Sequence, residues 1–248
     1  MKIFNGIYFA KKLSDISKQI FNNKIWKKIV KKKIKYNKKQ KYSIISSSPL
    51  STIFSMEYLN KNVKILDFGS GALDIYFELN SIINVYSKFN KKKIRKKIVI
   101  DFVELPEILK IYKKIDFSKN FKVNLNNEIP VKKKFDIIHI SNSLHYVDEP
   151  ADFIKKIISM NAKYIILNST KIGENKKFIS IQKFYDYKIP LWFFNLSELV
   201  KKFKPKYELI FVSNYLHKYL GKYTEIQMKN FPKKFRIDHT KTLILKKN

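Results

Sequence analysis

The sequence has no cysteine, which removes disulfide frameworks, thiolate zinc sites and cysteine nucleophiles from consideration. Arginine is almost missing as well. Arg95 and Arg236 are the only two, so lysine supplies 50 of the 52 basic residues. No stretch approaches the roughly 18 apolar residues that a membrane span requires. The start, Met1 to Ala10, carries an apolar run too short and too interrupted for a secretory signal. The four histidines have no ligand-like spacing, so no metal is expected. Together these absences predict a cytoplasmic protein with no transmembrane segment. Glycine is scarce, with five residues, and each one therefore points to a particular backbone requirement.

What is present suits a folded chain. A length of 248 residues is enough to bury a full core, and 45% hydrophobic with 15% aromatic residues argues against disorder. The formal charge of +32 resembles that of a nucleic-acid binder. A dedicated reader of phosphate or guanine, however, is expected to use the forked guanidinium of arginine. Ile, Asn, Phe and Tyr are abundant and share A/T-rich codons with Lys, so codon composition accounts for the excess. Nucleic acid is not the expected partner. Weak attraction to anionic membrane surfaces follows from the charge in either case.

Along the chain, Ile16, Ile20, Phe21, Ile25, Ile29 and Val30 recur at helical spacing between lysines, and residues 1 to about 45 read as helical and basic. A break at Ser46-Ser47-Ser48-Pro49 divides an N-terminal arm, 1–48, from a domain over 49–248. Pro49 suits the first turn of a helix reaching about Asn60. Beyond it, apolar strands alternate with helices. Strands are predicted over 63–68, 98–104, about 121–125, 135–141 and 163–168. Helices are predicted over about 73–89, from Pro106, and over 149–160, with a lysine-rich connection at 91–97. This pattern predicts an α/β fold with a mostly parallel, Rossmann-like sheet. A strand at 179–182, an aromatic stretch at 184–194 and a helix at 196–203 follow. Strands at 207–213 and 241–246 form a late antiparallel pair at a sheet edge.

In such a sheet, ligands bind at the carboxyl ends of the central strands. The first of these ends in Asp67-Phe68-Gly69-Ser70-Gly71, and the glycines permit a tight turn and close approach of a ligand. A dinucleotide loop would place a third glycine at position 74, which is Asp, and a carboxylate there repels pyrophosphate. A phosphate-free nucleoside such as S-adenosylmethionine fits better. Asp67, Gly69, Ser70 and Gly71 are the predicted cofactor loop. Glu104, at the end of the next strand beside Leu105, is the predicted acceptor for the ribose hydroxyls. Asn124 to Asn126 would border the adenine.

Ser141 and Asn142 follow the strand over 135–141 and complete the predicted cofactor contacts. His145, just beyond, is the candidate base because imidazole titrates near neutral pH. A merely packed histidine is the competing reading. His139, within the strand, reads as structural. Base-amino methylation is disfavoured because Ser-Asn-Ser-Leu-His-Tyr stands where an Asn/Asp-Pro-Pro-aromatic box would be. Trp192 could wall an acceptor pocket, whereas Phe193 and Phe194 read as core.

These motifs, in this order, resemble bacterial methyltransferases that recur among surface-polysaccharide and O-antigen biosynthesis genes. The resemblance runs from about Ser46 to the C-terminus. It rests on Val63-x-Ile65-Leu66-Asp67-Phe68-Gly69, Val103-Glu104-x-Pro106 and Ser141-x-Ser143-Leu144-His145-Tyr146. Further matches are Tyr164 to Leu167, Ile181-Gln182 and Ile189-Pro190-x-Trp192-Phe193-Phe194, with Gly6-Ile7-Tyr8 near the start. That family often reads Asp-Phe-Gly-Gly-x-x-Gly in the loop, from which Ser70-Gly71 and Asp74 depart. The resemblance implies an S-adenosylmethionine-dependent methyltransferase and, through gene association, a sugar or glycan acceptor. Two alternatives stay open: a non-catalytic methyltransferase-like binding protein, and an RNA ribose methyltransferase. The oligomeric state is not readable from the sequence.

Overall fold

The computed structural model describes residues 4–17, 24–39, 48–59, 61–90, 98–215, 217–219, 222–224, 226 and 228–248. Ile20, Phe21, Ser46, Ser47 and the connection at 91–97 lie outside the described residues.

The described chain begins with strand β1 (Phe4–Tyr8), followed by helix α1 (Lys24–Lys39). The helical reading of the N-terminal region therefore holds for α1 and not for Phe4–Tyr8. There Gly6 adopts φ 76°, the pairing with its neighbour shifts register, and Phe4 is drawn into an aromatic core. Helix α2 (Pro49–Ile53) starts with Ser48 accepting the Ser51 amide and Pro49 in the first turn, and it runs into a wider π-helical turn at Phe54–Tyr58.

The α/β alternation follows: β2 (Val63–Phe68), α3 (Asp74–Asn90), β3 (Ile98–Val103), α4 (Pro106–Tyr112), β4 (Phe121–Asn126) and β5 (Ile137–Ser141). A short 3-10 turn at Leu144–Tyr146 leads to α5 (Pro150–Ser159) and β6 (Tyr164–Thr170). Next come β7 (Ile172–Gly173), β8 (Phe178–Phe184), β9 (Tyr187–Asn195) and α6 (Leu196–Phe203). The last strands are β10 (Tyr207–Tyr215), β11 (His217–Tyr219), β12 (Lys222–Thr224) and β13 (Thr240–Lys247).

The larger sheet has the order β10-β13-β6-β5-β2-β3-β4. Strands β2, β3 and β4 are parallel, and β13 runs antiparallel to both β6 and β10. The sheet is thus α/β, mostly parallel, with its late strands antiparallel, as the sequence predicts. Strand order reverses at β2, the point where a doubly wound sheet binds its ligands.

A second sheet, β1-β8-β9-β7, was not anticipated as such. The aromatic stretch supplies β9, whose inward face carries Phe193 stacked on Phe178 at 4.7 Å with the rings 1° from parallel. Phe4 meets the Phe193 ring edge-on at 5.5 Å. Such geometries add to the burial of large apolar rings.

The chain divides into two compact units. One comprises the described residues of 1–21 with 140–248, and the other those of 22–139. Phe4–Tyr8 falls in the first and α1 in the second. Among the described residues, no helix is long and apolar enough to cross a membrane.

Candidate functional site

In the unit of residues 22–139, β2 leads into a turn with three left-handed residues: Gly69 at φ 70°, Gly71 at φ 51° and Leu73 at φ 60°. The turn is tied down on every side. Gly69 N–H donates to Val103 O at 2.9 Å, Ser70 Oγ donates to Asp67 O at 3.0 Å, and Tyr112 OH donates to Gly71 O at 2.7 Å. Burial raises the Tyr112 phenol well above its ordinary range, so it stays a donor. The Gly71 amide donates to Glu104 Oε2 at 2.9 Å, and the Leu105 amide to Glu104 Oε1 at 2.9 Å.

The structure therefore brings Gly71, Glu104 and Leu105 together, although 33 residues separate the first two. Burial raises the Glu104 carboxyl, while the two amide hydrogen bonds oppose the rise and nearby Asp67 adds to it. Each carboxylate oxygen has a second acceptor position beyond the backbone amide it holds. A Cβ added at Gly71 would meet only Gly69 O, at 3.8 Å, so the space beside this glycine is open. The amide that a pyrophosphate would need is already donated to Glu104.

Asp67 is buried, and its Oδ1 lies 2.8 Å from Nδ1 of buried His139. His139 is thus a structural partner of the loop's first residue. Asn124 and Asn126 turn their amides toward Asp101, donating to it at 2.8 and 3.2 Å. Asp101 is only 1% exposed, and Lys133 also pairs with it.

Glu78, on α3, is a further buried acid that the sequence did not single out. It accepts from the hydroxyls of Ser48 and Ser51, at the start of α2. Burial raises its carboxyl to about 7, opposed by the Ser48 hydrogen bond and by His139, with Asp74 adding to the rise.

In the other unit, the carboxyl ends of β5 and β6 are linked. Asn142 N–H donates to Asn168 O at 2.8 Å, and Asn168 Nδ2 reaches Ser141 Oγ at 3.4 Å. Thr242 Oγ1 donates to Asn168 Oδ1 at 2.6 Å. Asn142 and Ser169 both adopt left-handed backbone, φ 51° and 52°. Non-glycine residues held in this region concentrate where a structure over-determines its backbone, often at functional sites.

His145 is fully buried, and its Nε2 lies 2.8 Å from Nζ of Lys171, the residue that follows β6. Lys171 is itself only 6% exposed, and burial lowers its ammonium to about 7. The neighbouring Tyr146, raised by burial, donates its OH to Gln182 Oε1 at 2.6 Å. Lys171 is the second residue the sequence reading missed. One buried lysine among 50 gives no sequence signal. Trp192 is buried, donates Nε1–H to Val147 O at 3.1 Å and carries Lys177 Nζ 3.5 Å from its ring centroid. No group of three or more potential metal-ligating side chains gathers among the described residues.

No protein-family model matches the chain, and no curated protein matches its sequence. Solved structures do match. One is a provisionally assigned S-adenosylmethionine-dependent methyltransferase from Listeria monocytogenes. It is 11% identical, with a TM-score of 0.50 over 79% of this chain and 96% of that one. An S-adenosylmethionine-dependent methyltransferase from Mesorhizobium loti gives 8% identity and a TM-score of 0.43 over 79% and 96% of the two chains. Loganic acid methyltransferase with S-adenosylhomocysteine gives 9% and 0.48 over 90% and 93%. The Listeria likeness is one of fold: the chain carries the fold of class I S-adenosylmethionine-dependent methyltransferases.

Proposed function

We propose that the chain transfers a methyl group from S-adenosylmethionine to a hydroxyl oxygen of a sugar or glycan precursor. The supporting observation is the left-handed glycine turn at the end of β2, whose Gly71 amide is held by the Glu104 carboxylate. In this reading Asp67, Gly69, Ser70, Gly71, Glu104 and Leu105 contact the cofactor, with Glu104 accepting from the ribose diol. Ser141 and Asn142 add further cofactor contacts. The bound cofactor supplies an electrophilic methyl on a sulfonium.

The chain's own residues orient the acceptor and take its proton. His145 is assigned that proton, with Lys171 sharing it. The lysine ammonium, lowered to about 7, leaves a large fraction of neutral amine near physiological pH. General-base help of this kind contributes roughly 10²–10⁴-fold. The glycan acceptor rests on the sequence resemblance.

Calorimetry with S-adenosylmethionine and S-adenosylhomocysteine tests the cofactor assignment. Saturable binding is expected. Glu104→Ala should weaken it by about 10- to 100-fold, the loss of one or two hydrogen bonds to a charged acceptor. Absence of binding by the unaltered chain would favour the non-catalytic alternative. His145→Ala should lower release of S-adenosylhomocysteine with a sugar acceptor by about 100-fold while leaving cofactor affinity unchanged. An unchanged rate removes the base role.

A further inference from the structure

The geometry points to a second binding site, a lysine-walled groove between α1 and α4 that takes a linear polyanion lacking aromatic groups, of the acidic-glycan type. It stands independently of the methyl-transfer reading. The groove encloses about 740 Å³ within the unit of residues 22–139. One wall is a single stripe of α1: Lys24, Lys28, Lys31, Lys35 and Lys38. These positions recur every three or four residues, so they share one face of the helix and extend over about 21 Å. Lys110 and Lys114 face them from α4 and the turn after it. The floor is aliphatic, made by Ile34, Ile111 and Ile115.

Codon composition explains many lysines but not this placement. The five lysines of the stripe are exposed to solvent, and they border the cleft shared with α4 rather than the far side of α1. Like charges at these spacings oppose one another, so the arrangement costs stability unless an anion neutralises it. The surrounding sequence is also stripped of acids. No Asp or Glu stands between Asp15 and Glu57, a stretch with 11 lysines. Within the groove Glu107 is the one acid among the described lining residues, and it pairs with Lys27 at 3.7 Å and Lys110 at 2.7 Å. The remaining lysines leave a strongly positive cleft.

The lining also narrows the class of ligand. Surfaces that hold single-stranded nucleic acid combine a basic track with aromatic platforms for the bases. Among the described residues, no aromatic side chain and no arginine lines this groove. A membrane-surface helix presents its apolar side outward to lipid. Here the apolar residues lie at the bottom of a cleft, and Ile34 is only 6% exposed. Lysine walls over an aliphatic floor fit a slender chain with carboxylate or phosphodiester groups on both sides and C–H faces beneath.

Fluorescence anisotropy with a labelled oligogalacturonate tests this directly, using the full chain. The combined variant Lys28→Gln, Lys31→Gln, Lys35→Gln should bind about tenfold more weakly and with a shallower salt dependence. Gln matches Lys in helix propensity, so the fold is retained, and circular dichroism verifies it. A control with the same change in charge, Lys156→Gln, Lys201→Gln, Lys204→Gln, should bind as the unaltered chain does. Equal losses from both variants, or none from the groove variant, would overturn the site. Tighter groove-dependent binding to polyuridylate or to phosphatidylglycerol vesicles would overturn the ligand class.

Discussion

Lys171→Met is expected to stabilise the folded protein below pH 7 by several kcal/mol, on the order of 5, and, on the methyl-transfer reading, to lower turnover by about 100-fold. The ammonium's ordinary value is 10.5, and burial lowers it to about 7 in the folded chain. Each unit of such a shift is worth about 1.4 kcal/mol. Because the folded value is lowered, the unfolded chain holds the extra proton between pH 7 and 10.5. Below pH 7 both states are protonated, and the folded state bears the full cost of a buried charge. As pH rises from 7 to 10.5 that cost fades.

The advantage of Lys171→Met should therefore shrink to about 2 kcal/mol at pH 9. Methionine fills a similar volume without a charge, which keeps the packing term small. Urea unfolding at pH 6 and pH 9 measures both values. A destabilised variant, or a gain independent of pH, would show that Lys171 is not held as a disfavoured cation. A gain in stability with a loss of turnover is the pattern expected of a residue kept for chemistry rather than for folding.

Glu78→Gln should show the opposite dependence. The carboxyl rises from 4.5 to about 7 on folding. Its stabilising contribution is therefore fully present below pH 4.5 and is lost as pH rises through 7, where the ionised acid sits buried beside two serines. Glutamine keeps an acceptor for the Ser48 and Ser51 hydroxyls without the charge. A gain of about 3 kcal/mol at pH 8, falling below about 1 at pH 5, is expected from the same conversion. Thermal unfolding across that range measures it. No gain at pH 8 would show that the carboxylate is stabilised by more than the serines. The consequence reaches α2, whose first turn is joined to α3 through this carboxyl.

These two residues show where sequence reading reaches its limit. The strands could be read because Val63, Ile65 and Leu66, or Ile98, Ile100, Phe102 and Val103, place buried apolar side chains on both faces and so form largely apolar runs. Helix starts at Pro49 and Pro106 were marked by prolines that suit a first turn. The tie between Gly71 and Glu104 was anticipated as a shared ligand site, since both lie at carboxyl ends of adjacent parallel strands. The hydrogen bond itself depends on turn geometry, which residue types do not specify. Strand β1 was invisible because its partner, β8, lies more than 170 residues away. Glu78 and Lys171 were hidden for another reason. Burial of a charged side chain is a property of the surrounding packing, and neither carries a local pattern.

The turn after β2 also bears on how such loops are recognised. Its third left-handed position is held by Leu73, fully buried at φ 60°. For a residue with a Cβ that conformation costs roughly 1–2 kcal/mol, while burying a leucine side chain contributes about 1.5–3. An apolar anchor has taken over a job that glycine does through freedom alone. The backbone asks for an angle, and a residue type is only one way of supplying it. Loops of this shape will therefore escape any search that counts glycines.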